Sequence, residues 1–66
     1  MLQTILIPRS SFTLDQAIEW LKQHGHSHKK VDETEHFFRF RQLPPGFNRY
    51  YTKTLPNGIE LVHGIV

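Results

Sequence analysis

The sequence contains no cysteine, so no disulfide can stabilise the fold. Such an absence is typical of proteins in a reducing compartment. Long hydrophobic runs are also missing, and the longest run, residues 5–7, is far too short to cross a bilayer. Residues 1–4 carry no basic side chain and begin no long apolar segment, so we expect no signal peptide. These absences together favour a cytoplasmic protein without a membrane segment.

Patterns typical of enzymes are missing as well. Ser10 and Ser11 have no adjacent base and no glycine elbow, which argues against a nucleophilic serine. The sequence has no glycine-rich loop of the kind that holds phosphates. A chain of 66 residues supplies one small core, which the walls of an enclosed active site would consume. We therefore expect one domain over residues 1–66, with no enzymatic activity and no cofactor.

A strong charge of one sign is likewise absent. Eight Lys and Arg residues against six Asp and Glu give a net charge of +2. Dedicated nucleic-acid-binding domains usually carry more positive charge, so such a role would depend on where the charges lie. Hydrophobic residues make up 38% of the chain, which is enough for one compact core.

The clearest element that is present is a helix, expected from about residue 13 to residue 24. Thr13 and Gln16 have the spacing of a capping box, and Asp15 places a negative charge in the first turn. Gly25 stands where a left-handed cap would end the helix. Helical spacing predicts one apolar stripe with Trp20 at its edge, formed by Leu14, Ala17, Ile18 and Leu21.

The other segments alternate or are rich in β-branched and aromatic residues, which predicts strands at residues 2–7, 36–42, 49–55 and 59–62. Pro8 is expected to end the first strand. Asp32 begins a polar segment, residues 32–35, that is either a turn or a short strand. We expect Val31 to fill the edge of the core and residues 64–66 to trail beyond the last strand.

The order of these elements, β-α-β-β-β, predicts an α+β fold with a single helix packed on a small, mainly antiparallel sheet. Short connections, including the turn at Pro56-Asn57-Gly58, favour an antiparallel meander that the N-terminal strand joins. The helix stripe would then cover one face of the sheet, on Phe38 and Phe40.

The stretch of residues 36–42 is expected to organise both the core and the function. Period-two alternation places Phe38 and Phe40 on one face of a strand. It places Phe37, Arg39 and Arg41 on the other face. The first set predicts the centre of the core, and the second predicts a binding surface.

Short segments spread over nearly the whole chain form a further pattern, at residues 20–22, 24–25, 30–34, 38–42, 52–55 and 58–59. The pattern resembles a small domain that is common in tailed-phage and metagenomic viral proteins. Its most specific parts are Val-Asp-Glu-Thr at residues 31–34 and Arg-Phe-Arg-Gln at residues 39–42. The resemblance implies a phage-related origin and a location in the host cytoplasm, but no activity, because that family has no assigned function. His26, His28 and the proline pair at residues 44 and 45 depart from the pattern.

Three histidines at alternate positions, His24, His26 and His28, form a possible metal site, with Asp32 or His36 as a further ligand. The neighbouring lysines would oppose a cation, so we expect no metal. The acidic residues Asp32, Glu33 and Glu35 form either an acid-base set or a solvated turn that pairs with Lys29, Lys30 or Arg39.

The remaining candidate combines the basic and aromatic side chains of two predicted strands. If these strands were adjacent, one surface would hold Phe37, Arg39, Arg41, Arg49, Tyr51 and Lys53, with Tyr50 beside them. Such a surface would suit single-stranded nucleic acid, because arginine binds phosphate and aromatic rings stack on bases. The same residues also suit a protein contact or self-association through an exposed edge strand. The sequence favours a protein-binding or assembly module, with nucleic-acid binding as the alternative and a metal-binding histidine loop as the second alternative.

Overall fold

A computed structural model describes residues 1–65 and contains one helix and five strands. In chain order, the elements are β1 (Leu2–Pro8), α1 (Leu14–Gln23), β2 (Val31–Glu33), β3 (Phe37–Arg41), β4 (Arg49–Thr54) and β5 (Glu60–Ile65). The α+β class is confirmed, and the polar segment that the sequence left between a turn and a strand begins as β2. Within the described part of the chain, no helix has the length and hydropathy needed to cross a membrane.

The sheet has the order β2-β3-β1-β5-β4, and every neighbouring pair is antiparallel. β1 lies in the centre, between the β2–β3 hairpin and the β4–β5 hairpin. The predicted meander is therefore wrong, because β3 and β4 are consecutive in the chain but are not neighbours in the sheet. β1 suits the central position because Ile5, Leu6 and Ile7 supply apolar side chains to both of its faces.

The helix begins and ends as its sequence predicts. Thr13 Oγ1 accepts a hydrogen bond from the Gln16 backbone N–H at 3.2 Å. Gln16 Oε1 in turn accepts from the Thr13 N–H at 2.9 Å, which completes the capping box. Gly25 follows the last turn with φ +71°, a conformation that residues with a Cβ adopt only with strain.

The core forms between α1 and one face of the sheet. The register pairs Ile5 with Phe40 and Ile7 with Phe38, so these four side chains share a face. Ala17 and Leu21 of α1 are fully buried against them, while Leu14, Ile18 and Trp20 cover the periphery. Ile59, which precedes β5, completes the cluster.

The sequence suggested that Val31 fills the edge of the core, and this prediction is wrong. It pairs with Phe40 but is 37% exposed. β2 is an outermost strand and only three residues long, so solvent reaches its side chains from the free edge.

The loop of residues 42–48 carries the chain from β3 to β4, past the ends of the two strands that separate them. The Gln3 carbonyl oxygen anchors the start of the loop by accepting from the backbone N–H groups of Gln42 at 2.7 Å and Leu43 at 3.2 Å. The Phe47 ring anchors its end by lying directly on Gly64, where a Cβ atom would collide with the ring. Gly64 and Ile65 thus belong to β5 and do not trail beyond it; Val66 lies outside the described residues.

Replacement of Phe40 by alanine should lower the free energy of unfolding by about 3–5 kcal/mol, because this ring is fully buried at the centre of the core. Chemical denaturation of the wild type and the variant measures the difference. Phe37→Ala is the matched control, since Phe37 lies on the same strand but is only half-buried on the opposite face. Equal costs for the two replacements would contradict this description of the core.

Candidate functional site

The alternation predicted for β3 is confirmed. Phe38 and Phe40 are buried under α1, whereas Phe37 and Arg39 are half-buried and Arg41 is exposed on the other side. We call this second side, which α1 does not cover, the open face of the sheet. Three predicted site residues, Phe37, Arg39 and Arg41, therefore share the open face.

The other predicted site residues do not join them. β1 and β5 lie between β3 and β4, which sets these two strands about 14 Å apart. Cross-strand pairing runs from Arg41 through Thr4 and Val62 to Thr52, which places Thr52 on the open face. The residues that alternate with Thr52 point to the helix side, and these are Arg49, Tyr51 and Lys53. The prediction that one surface holds all six residues is wrong, because it assumed that β3 and β4 are neighbours.

Arg41 instead lies beside two lysines that were not among the predicted site residues. Two adjoining clefts, of about 240 and 520 Å³, are both lined by Lys29, Lys30 and Arg41. We call this pair of clefts the basic cleft. The β2–β3 hairpin explains it, since the pairing of Val31 with Phe40 brings the preceding Lys30 alongside the following Arg41. The basic residues themselves are visible in the sequence. That they lie side by side can be inferred only from the β2–β3 register.

The Gln42 side chain fixes the segment that carries the lysines. Its Nε2 donates to the Ser27 carbonyl oxygen at 2.8 Å, and its Oε1 accepts from the Ser27 backbone N–H at 2.8 Å. The amide thus bonds Ser27 as a neighbouring strand would. Because Gln42 directly follows β3, these bonds hold the lysine segment against the end of that strand.

The cationic side chains of the cleft do not pair with the nearby carboxylates. Among residues 1–65, the one contact within 4.0 Å between a basic side chain and a carboxylate joins His36 Nε2 to Glu35 Oε2, at 3.9 Å. The salt bridges suggested between the acidic segment and Lys29, Lys30 or Arg39 are therefore not formed. Asp32 lines the larger part of the basic cleft without such a contact.

The histidine loop is organised around Trp20. The rings of Trp20 and His24 stack with their centroids 4.0 Å apart, and His26 stacks on the same indole at 6.1 Å. His24 Nδ1 also lies 2.8 Å from the Trp20 carbonyl oxygen. No group of three or more His, Asp or Glu side chains in the described part of the chain is arranged to hold a metal.

A second surface lies at the opposite edge of the sheet. All six residues of β4 are exposed, and no other strand of residues 1–65 lies beyond it. Tyr50 and Tyr51 are 47% and 51% exposed, and Ile65 on the adjoining strand is 45% exposed. Tyr51 stacks on His63, with ring centroids 4.9 Å apart. We call β4, with these apolar side chains, the β4 edge.

Comparisons of the chain with protein-family models, with curated proteins and with solved structures found no match. The resemblance to a phage-associated domain is therefore supported by the sequence pattern alone and stays a prediction. Any function must be argued from the two surfaces themselves.

Burial against Trp20, together with the nearby His24, lowers the pKa of His26 below its usual 6.5. The folded state thus favours neutral His26, and the stability from this effect is present above 6.5 and declines as the pH falls below it. Acidification to about pH 5 should lower the melting temperature of the wild type more than that of His26→Gln. Equal pH dependence in the two proteins would show that His26 titrates as a solvated side chain.

The histidine loop should not require a metal for folding, because His24 and His26 already contact Trp20. Protein purified without a histidine tag should contain less than one zinc per chain, and a chelator should leave its circular dichroism unchanged. A stoichiometric metal whose removal unfolds the chain would contradict this prediction.

Proposed function

We propose that this chain is a small, non-enzymatic assembly module that binds a second copy of itself by pairing β4 with β4. The observation that supports the proposal is the β4 edge, an outermost strand of six residues that no element of the described structure covers. Such an edge is a template for strand addition, because its backbone donors and acceptors lack partners. The other outermost strand, β2, is half as long and carries two carboxylates, Asp32 and Glu33, which disfavour pairing.

The β4–β5 hairpin sets which backbone groups are available. The Leu55 N–H donates to the Ile59 carbonyl oxygen at 2.8 Å, at the start of the ladder. Hydrogen-bonded and non-hydrogen-bonded positions alternate along an antiparallel pair. The odd-numbered residues of β4 therefore bond to β5, and Tyr50, Thr52 and Thr54 direct their N–H and C=O groups outward.

Charge favours one symmetric register of these outward groups over the two registers next to it. If Thr52 lies on the two-fold axis, Lys53 stands opposite Tyr51 of the second copy, and Arg49 stands opposite Leu55. A shift one way sets Lys53 opposite Arg49, and a shift the other way sets Lys53 opposite Lys53. Like charges directly opposite one another destabilise a sheet, so the register centred on Thr52 is favoured.

Side chains on both faces of the sheet would add buried apolar area where the two β4 strands meet. Tyr51 lies where the two β4 strands meet on the helix side, with Ile65 one strand behind it on β5, and Tyr50 lies there on the open face. Each tyrosine supplies a large apolar ring and a polar hydroxyl, a combination that is common in protein interfaces. The resulting dimer would have one continuous sheet of ten strands, twice the five of a single chain.

Nucleic-acid binding, the alternative from the sequence, has less support. Arg39 and Arg41 lie on the open face near one edge, whereas Arg49, Tyr51 and Lys53 lie near the other edge and point to the helix side. No continuous basic and aromatic surface joins these residues in the described structure. The phage-related origin and the cytoplasmic location remain predictions that go with the assembly role.

The proposal predicts a dimer that forms as the concentration rises and that Thr52→Pro abolishes. Proline removes the outward N–H of Thr52 but none of the hydrogen bonds to β5, so each chain should still fold. Analytical ultracentrifugation over a concentration series measures the dimer, and thermal melting checks the fold.

Thr52→Val is the matched control, because it changes the side chain and keeps the outward N–H. This variant should dimerise like the wild type. A wild type that stays monomeric at millimolar concentration, or a folded Thr52→Pro variant that dimerises as well as Thr52→Val, would overturn the proposal.

A further inference from the structure

We infer that the basic cleft is a binding site for the phosphate group of a small phosphorylated ligand. The site lies at the opposite edge of the sheet from β4 and does not depend on the assembly role. The observation that carries the inference is the convergence of Lys29, Lys30 and Arg41 on one pair of adjoining clefts.

The electrostatics of the cleft favour an anion. Lys29, Lys30 and Arg41 line both of its parts, and Asp32 is the one carboxylate among the lining residues. None of the three cations lies within 4.0 Å of a carboxylate of residues 1–65. Three unpaired like charges in one place repel each other, and a bound dianion would offset that repulsion. The planar guanidinium of Arg41 can bind two phosphate oxygens at once, and each lysine can add a further charge-assisted bond.

The backbone around the cleft is already fixed. Two hydrogen bonds of 2.8 Å join the Gln42 amide to both backbone groups of Ser27. The Lys29 N–H also approaches Ser27 Oγ at 3.5 Å, at the start of the lysine segment. Ordering this segment before a ligand arrives reduces the entropy lost on binding. Gln42 is therefore a positioning residue, which acts on the ligand through the lysine segment.

The shape and lining of the cleft favour a small ligand over a nucleic-acid strand. The smaller part has a volume of about 240 Å³, enough for a phosphate group and a short attached group. Among residues 1–65, no aromatic side chain lines either part, so these residues offer no surface on which a base could stack. Arg49 and Lys53 lie near the far edge of the sheet and cannot extend the site along a phosphate backbone.

Titration of the ¹⁵N-labelled protein with inorganic phosphate tests the site, with backbone amide shifts as the readout. We expect saturable shifts in residues 27–30 and 41–43, the segments that line the cleft. Arg41→Gln should weaken phosphate binding about tenfold, the effect of losing one charge-assisted contact. Arg49→Gln removes the same charge at the other edge and should bind phosphate like the wild type.

Gln42→Leu separates positioning from simple charge attraction. This variant keeps all three cations and should nevertheless bind phosphate more weakly, because the lysine segment is released. An unshifted amide spectrum outside residues 26–30 and 40–44 would show that the variant is folded. Unchanged phosphate affinity in folded Gln42→Leu would contradict the positioning role.

A single-stranded oligonucleotide without terminal phosphate is the third arm of the test. We expect it to bind no more tightly than inorganic phosphate. The inference is overturned if phosphate at millimolar concentration causes no saturable amide shift. It is overturned as well if Arg41→Gln and Arg49→Gln weaken phosphate binding equally. It is also overturned if the oligonucleotide binds through Arg41 much more tightly than phosphate. Dimerisation of Arg41→Gln should match that of the wild type, which keeps this test separate from that of the assembly role.

Discussion

The pairing of β1 along both of its edges is the constraint on which the rest of the structure depends. β1 receives β3 on one side and β5 on the other, and its Ile5 and Ile7 are fully buried. Each flanking strand brings its hairpin partner, so the two hairpins end at opposite edges of the sheet. One edge holds the basic cleft, and the other is the exposed β4. The separation of the two candidate surfaces is thus a consequence of the central strand.

Local features could be predicted from the sequence because neighbouring residues determine them. Thr13 and Gln16 define the start of α1, and alternation in β3 separates Phe40 from Arg41. The strand order could not be predicted in this way, because hydrophobic alternation does not specify which strands pair. A seven-residue loop, 42–48, is compatible with a hairpin as well as with the observed crossing. The wrong choice between these two placed Arg41 and Tyr51 on one surface.

The basic cleft was missed for the same reason. Lys29 and Lys30 precede β2 and were considered only as partners of the acidic residues, and Arg41 was assigned to a face together with Phe37. The cleft becomes visible only when the β2–β3 register and the two hydrogen bonds from Gln42 to Ser27 are known. A glutamine that bonds a distant backbone leaves no recognisable spacing in the sequence. Contacts of this kind require the folded chain.

The central claim is that β4 pairs with β4 of a second copy, with Thr52 on the two-fold axis. An isotope-filtered nuclear Overhauser experiment on a mixed labelled and unlabelled sample tests it directly. Tyr51 and Lys53 lie about 7 Å apart within one strand, too far for a strong Hα–Hα signal. In the dimer they form a non-hydrogen-bonded pair with Cα atoms about 4.5 Å apart, so a strong intermolecular Hα–Hα signal is expected. Absence of any intermolecular signal from β4 in a concentrated sample would contradict the account.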